Sequence, residues 1–212
     1  MTTAGVACES CGTELSAKAK FCGECGTRLT RATQAPEYKQ VTVLFADVVR
    51  SMDIAVLLDI ERFREVMTEL VERSAAVVQR YGGGSVEYTG DGIMAVFGAP
   101  VALEDHAFRA CLAALAIQEE ANRLAAEVQH RDGVDLRLRV GLNSGRVIAG
   151  GIGSGSLGYG AIGRQVGMAQ RMESVAPPGA VMLSESTARL VEHTVVLAEP
   201  EWVRIKIGRA HV

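Results

Sequence analysis

Four of the five cysteines in this 212-residue chain lie within its first 25 residues, as Cys8-x-x-Cys11 and Cys22-x-x-Cys25 with ten residues between the pairs. Each pair runs directly into a glycine, Gly12 or Gly26. Such a turn aims two thiolates at one tetrahedral ion, and the glycine relieves backbone crowding beside them. A segment this short has almost no core and needs a staple to fold. Disulfides and a redox pair are the other uses of such thiols. The CGxxL pattern, repeated from Cys11 to Leu15 and from Cys25 to Leu29, favours two equivalent knuckles around Zn²⁺. Residues 1–30 are therefore expected to form a separate zinc module that is unfolded without its metal. Binding would supply on the order of 10 kcal/mol of folding free energy.

The rest of the chain has ordinary globular chemistry. Apolar residues make up 48% and charged residues 22%, which argues against disordered or fibrous chains. A formal net charge of -3 disfavours a strongly basic nucleic-acid binder, so no nucleic-acid partner is expected. No run reaches the ~18 apolar residues of a membrane span, and the N-terminus lacks the apolar stretch of a signal peptide. No membrane partner is expected. Cysteines without such a signal point to the reducing cytoplasm. Residues 31–40, polar and containing Pro36, read as a linker. Cys111 lies in an apolar helical stretch and reads as a small core residue.

From Val41 the run VTVLFAD is apolar on both faces and ends in an acid, which predicts a buried strand with Asp47 at its end. Ile60, Phe63, Met67, Leu70, Ser74, Val77 and Tyr81 step by three and four, a helix over about 59–81. SVEY and IMAVFG flank Gly90-Asp91-Gly92, a hairpin with Asp91 at its tip. A long helix is expected over 103–129. Leu136, Leu138, Val140 and Leu142 then alternate against Arg137, Arg139 and Gly141 as a half-buried strand. RVIAGG reads as another strand before a glycine-rich loop. A helix over 163–175, a strand over 181–183, a short helix over 184–192 and terminal strands complete the α+β pattern.

Asp47 and Asp91 stand out. If their strands are neighbours, both acids project from one end of the sheet. Paired carboxylates there suit Mg²⁺ or Mn²⁺ completed by substrate phosphates, though capping the turn and the loop would also account for them. Val48, Val49, Arg50 and Ser51 are the candidate phosphate-binding residues, through backbone N–H groups turned toward a phosphate chain.

These segments carry a resemblance. FADVVRS, GGSVEYTGDGIMAVFG, RVGLNSGRVIAGGIG and GYGAIGRQVGMAQRMES are similar to the catalytic domain of class III nucleotidyl cyclases, nearest the actinobacterial type. The first thirty residues resemble the short zinc ribbon at the front of many bacterial regulatory proteins. The first resemblance implies a ferredoxin-like βαββαβ palm core and a head-to-tail homodimer with active sites shared across its interface. It implies conversion of ATP or GTP to the 3′,5′-cyclic monophosphate plus pyrophosphate. Asp47 and Asp91 match the ligands of two Mg²⁺ or Mn²⁺ ions, and Arg171 matches the arginine that a partner subunit presents to the transition state.

The chain departs from the adenylyl members at three positions. Glu87 stands where they carry Lys, Gly160 where they carry Asp, and Gly167 where many carry a ribose-orienting Asn. Glu87 only accepts hydrogen bonds, which suits a guanine edge. Glu87 and Gly160 are thus the candidate base-reading positions, with a surface Glu that reads no base as the alternative for Glu87. The expected organisation is a ribbon over 1–30, a linker over 31–40 and a catalytic domain over 41–206 that stops short of the family's usual end. Residues 207–212 are read as foreign to the natural chain. The leading function is a purine nucleotidyl cyclase in second-messenger signalling. The alternative is a weakly active or inactive cyclase fold used for dimerisation or nucleotide sensing, and a weaker one makes the ribbon an adaptor. The partner of the ribbon is not legible.

Overall fold

The computed structural model describes residues 6–8, 10–15, 21–27, 37–151 and 159–204. The chain divides into two compact units, 1–35 and 36–212. In the first, β1 (Val6–Ala7) and β2 (Glu14–Leu15) pair antiparallel. The two knuckles repeat one hydrogen-bond pattern. Cys8 N–H donates to the Thr13 carbonyl at 2.8 Å and Cys22 N–H to the Thr27 carbonyl at 2.9 Å. Gly12 and Gly26 return bonds to the Cys8 and Cys22 carbonyls, at left-handed φ of 75° and 70° that a side chain would strain.

The second unit is built on a six-stranded sheet ordered β4-β5-β3-β6-β7, with β8 parallel to β6. In chain order it runs β3 (Glu37–Val48), α1 (Ser51–Leu57), α2 (Ile60–Arg80), β4 (Ser85–Tyr88), β5 (Gly92–Phe97), α3 (His106–Asp132) and β6 (Leu138–Gly151). Then come β7 (Tyr159–Ile162), α4 (Arg164–Val175), β8 (Val181–Leu183) and α5 (Glu185–Val191). The sequence from β3 to β6, with α1 and α2 sharing the first crossover, is the expected ferredoxin-like βαββαβ core.

Central position explains why β3 reads apolar on both faces. Leu44, Ala46 and Val48 face the large core with α2 and α3, whereas Val41, Val43 and Phe45 belong to a second cluster with Ala169 and Val166 of α4. Period-two alternation therefore places Asp47 on the α4 face. A chain of hydrogen bonds links the buried polar side chains of β3, α3, β6 and α5. Thr42 Oγ1 lies 2.7 Å from both His106 Nδ1 and Ser144 Oγ, and Ser144 Oγ lies 3.0 Å from Thr187 Oγ1.

Several elements differ from the sequence expectations. β3 begins at Glu37, not Val41. The two strands expected between Leu136 and Gly151 are one, because Asn143 and Ser144 spend their polarity on Gln165 and on the hydroxyl chain instead of turning. Ile60 is 83% exposed although it fits the α2 stripe. Arg62 already meets Asp132, the last residue of α3, at 2.8 Å, so Ile60 overhangs its partner helix. The terminal strands are absent from residues 193–204, where Pro200 offers no N–H to a ladder. Helix α1 stands in a segment for which the sequence predicts no element. It is only seven residues long, lacks a side-chain cap and buries only Ser51 and Ile54, so periodicity leaves no trace of it. No described helix is long and apolar enough to cross a membrane. Residues 205–212, including the segment read as foreign, lie outside the described residues.

Candidate functional site

Asp47 is the penultimate residue of β3, paired across the ladder with Gly92 of β5 and Arg139 of β6. Asp91 occupies the turn between β4 and β5, closed by a 3.0 Å bond from Thr89 N–H to the Gly92 carbonyl. Register therefore places the tip of the hairpin beside the end of β3. The Val48 N–H lies 3.1 Å from Asp47 Oδ1 and 3.3 Å from the Asp91 carbonyl, tying the two segments together. Ser51, at the start of α1, donates its hydroxyl to Asp91 Oδ2 at 2.5 Å. Gly92 permits the close approach of β5 to β3 here: a Cβ there would come within 2.8 Å of Asp47 Oδ1 and 2.1 Å of the Ala46 carbonyl.

Burial pushes the Asp47 carboxyl up to about 7, helped by hydrogen bonding to and repulsion from Asp91 and by the charge of Glu173. Hard carboxylate oxygens crowded in this way fit a divalent cation of the Mg²⁺ or Mn²⁺ kind, which relieves the repulsion that the fold imposes.

The phosphate candidates separate. Val48 N–H is engaged as described, and Val49 N–H donates to the Arg137 carbonyl at 2.9 Å, so both amides are spent inside the fold. Arg50 adopts a left-handed conformation at φ 55° and holds its side chain 81% exposed. Ser51 is engaged with Asp91 through its hydroxyl.

Arg171 lies on α4 without an ion pair among the described residues. Successive helical residues turn by about 100°. Arg171 therefore points nearly opposite to Glu173, which is buried against the sheet. Arg171 faces away from the sheet that carries Asp47 and Asp91 of its own chain. One turn earlier, Gly167 borders open space: among the described residues nothing outside its own stretch of helix lies within 4 Å of where a Cβ would stand. Glu87 is exposed on edge strand β4, opposite Met94, and Gly160 pairs with Gly150 through β7 at the other edge.

Two residues beyond those expected from sequence take part, Arg139 and Glu173, while Ser51, expected to act through its backbone N–H, engages Asp91 through its hydroxyl. Arg139 Nε lies 3.1 Å from Glu173 Oε1. Burial raises the Glu173 carboxyl while Arg139 opposes that shift. A signal for Glu173 was present, since it shares with Ala169, Met172 and Ala176 the spacing of a buried helical stripe.

In the first unit the four cysteine sulfurs all lie within 4.8 Å of one another. Cys8 and Cys25 are 3.7 Å apart, and Cys11 and Cys22 3.5 Å. Four thiolates around a tetrahedral Zn²⁺ with ~2.3 Å bonds stand about 3.8 Å apart, so the cluster has the size of that ion's shell. Hydrogen bonding to the Thr27 hydroxyl draws the Cys25 thiol down to about 6 and Thr13 lowers Cys11 in the same way, whereas burial and its cysteine neighbours push Cys22 up to about 11, so without an ion the cluster holds a mixture of thiolate and thiol. Cys111 is buried and its thiol is pushed up to about 11 by desolvation, as suits a core residue.

Comparison with known proteins matches residues 33–211 to the adenylate and guanylate cyclase catalytic domain and residues 8–29 to the zinc-ribbon domain. A receptor-type guanylate cyclase of Caenorhabditis elegans, gcy-28, is 31% identical over 157 residues, 74% of this chain and 12% of the relative. Guanylate cyclase soluble subunit beta-2 of Rattus norvegicus is 30% identical over 163 residues, 77% of this chain and 24% of the relative. The chain thus spans a quarter or less of the length of these two relatives. The guanylate cyclase domain of RhGC from Catenaria anguillulae, solved in complex with GTP, superposes with a TM-score of 0.72 at 30% identity, covering 80% of this chain and 91% of that one. The adenylyl cyclase CyaB of P. aeruginosa shares the fold with a TM-score of 0.72 at 23% identity, covering 80% and 92%.

Proposed function

Because the chain belongs to the adenylate and guanylate cyclase catalytic-domain family, we propose that it converts a purine nucleoside triphosphate to the 3′,5′-cyclic monophosphate and pyrophosphate. Two carboxylates crowded at one strand end, with Asp47 driven up to about 7, carry this reading. A pure scaffold gains nothing from placing two acids side by side at a partly buried site. Asp47 and Asp91 would hold two Mg²⁺ or Mn²⁺ ions. When bound, these make the 3′-hydroxyl more acidic and neutralise charge on the phosphates. The 3′-oxygen attacks the α-phosphorus and gives its proton to solvent, while the bond from the α-phosphorus to the bridging β-phosphate oxygen breaks to release pyrophosphate. Ser51 holds Asp91 in place for this, and Arg50 is the charged residue beside the strand end that faces the phosphates.

Arg171 faces away from its own acids, which supports a homodimer in which each subunit lends this arginine to the other's site. Glu87 and Gly160 face the base in this reading, and an acceptor at Glu87 favours GTP. Zn²⁺ occupies the four-cysteine cluster. No disulfide joins the cysteines among the described residues, which suits the cytoplasm. One observation favours a second reading, a weakly active or inactive cyclase fold: Gly167 leaves open space where a ribose-orienting side chain is expected. Incubating the full-length protein with ATP or GTP and Mn²⁺, with mass-spectrometric detection of products, separates the two. Cyclic nucleotide made by wild type and lost in Asp91→Asn supports the enzyme. No product from either nucleotide leaves the sensing module.

A further inference from the structure

Asp47 has an arginine opposite it in the sheet. The β3–β6 ladder pairs Asp47 with Arg139, and directly opposed residues of an antiparallel pair place their Cβ atoms about 4.5–5.5 Å apart on one face. An arginine so placed ordinarily closes on the aspartate and takes up its lone pairs. Here it does not. Among the described residues the ion pair of Arg139 is with Glu173, at 3.1 Å, and its Nη1 donates to the Ser174 carbonyl at 3.3 Å. Glu173 is 4% exposed and fixed in place. Its helix lies so close to β6 that a Cβ on Gly141 would come within 2.0 Å of the Glu173 amide nitrogen. The contact is a charge pair without an aligned hydrogen bond, since Arg139 Nε and Glu173 Oε1 are buried and have no hydrogen-bond partner among the described residues. The guanidinium is thus drawn toward Glu173 by charge, away from the neighbour that register provides.

We propose that Glu173 is a positioning residue for the acid pair: it holds the Arg139 guanidinium back from Asp47, so that the Asp47 carboxylate stays open to a divalent cation. The proposal rests on the metal reading of Asp47 and Asp91. Glu173 touches neither the cation nor the nucleotide. Without its charge, the guanidinium would be left with Asp47 opposite it in the register, and the cation would then compete with an arginine.

The test is Mn²⁺ binding to the full-length, zinc-loaded protein without nucleotide, read from the EPR signal of free Mn²⁺. Asp47→Asn is the control. If it binds Mn²⁺ as wild type does, the metal reading itself fails and Glu173 has nothing to position. If it loses binding, the proposal is tested on its own terms. Glu173→Gln should then weaken Mn²⁺ about tenfold or more, the scale on which a nearby cation changes a carboxylate's proton affinity. Arg139→Gln should bind Mn²⁺ at least as tightly as wild type, and the double variant should return to within about threefold of it. An ion pair that is merely structural would weaken binding in both single variants alike, and that result overturns the proposal. So does a Glu173→Gln protein that binds as wild type does. Should Glu173→Gln fail to fold, loss of Mn²⁺ binding in Arg139→Gln or in the double variant sinks the idea.

Discussion

At Asp47 the native fold opposes ionisation, and this has a signature in stability. The carboxyl titrates at about 7 in the folded protein against about 4 in an unfolded chain. A raised folded value means that the stabilising contribution is whole below pH ~4 and is lost as the pH rises toward 7. In metal-free protein, Asp47→Asn should therefore raise Tm at pH 7.5 by about 2 °C or more, with the gap shrinking at pH 5. Mn²⁺ should stabilise wild type and not the variant. Differential scanning fluorimetry measures both, and a variant less stable than wild type at pH 7.5 would show that the bond from Val48 N–H outweighs the burial of charge. A second residue-scale expectation concerns the base. Glu87 accepts and cannot donate, so it suits guanine N1–H and N2–H₂, while Gly160 contributes nothing to either base. A bidentate contact is worth ~1–3 kcal/mol of discrimination, about 5- to 150-fold, and a single reader should fall at the low end. GTP should be modestly preferred by kcat/KM, and Glu87→Lys with Gly160→Asp should move the ratio toward ATP. A wild type preferring ATP by more than about tenfold would mean that Glu87 reads no base.

At the scale of elements, the two knuckles stand by themselves. Cys8→Ser or Cys22→Ser should abolish the single zinc per chain found by elemental analysis. The sheet unit should keep its melting transition, because it has large core clusters of its own. Zinc retained after either change would rule out the four-thiolate site. The seam between α4 and β6 is the opposite case. A Cβ at Gly141 would meet Glu173 N at 2.0 Å and the Ala169 carbonyl at 2.6 Å, both backbone atoms that no rotamer can move aside. Gly141→Ala should cost about 1–3 kcal/mol in denaturant unfolding. It should also displace the helix that carries Arg171 and Glu173. Unchanged stability would mean that α4 has slack against the sheet.

For the whole molecule the question is which subunit completes which site. Arg171 and Glu173 lie on nearly opposite sides of one helix, so in the proposed dimer one helical phase would send the arginine to the partner's site and keep the glutamate at its own. Mixing Arg171→Ala with Asp47→Ala should restore part of the activity that each variant lacks alone, because one composite site in the mixed dimer is intact. No recovery in heterodimers demonstrated by mass spectrometry would place both residues in the same subunit's site.

Much of this protein was legible from residues near one another in the chain. The knuckles follow from CxxC and glycine, the hairpin from Gly90-Asp91-Gly92, and α2 from apolar periodicity, because turn chemistry and helical phase are local. The convergence of Asp47 and Asp91 was legible only as a condition, since it required β3 and β5 to be neighbours. Arg139 read as a solvent-facing residue of an alternating strand, and only the docking of α4 on that face buries its partner Glu173. Helix α1 was missed because its first turn is held by Asp91, forty positions away in sequence, rather than by a cap of its own. The sequence by itself determined which chemistry each segment carries. Tertiary structure decided which charges stand together and which are held apart, because a carboxylate's neighbours in a sheet come from strands and helices that only long-range packing brings side by side.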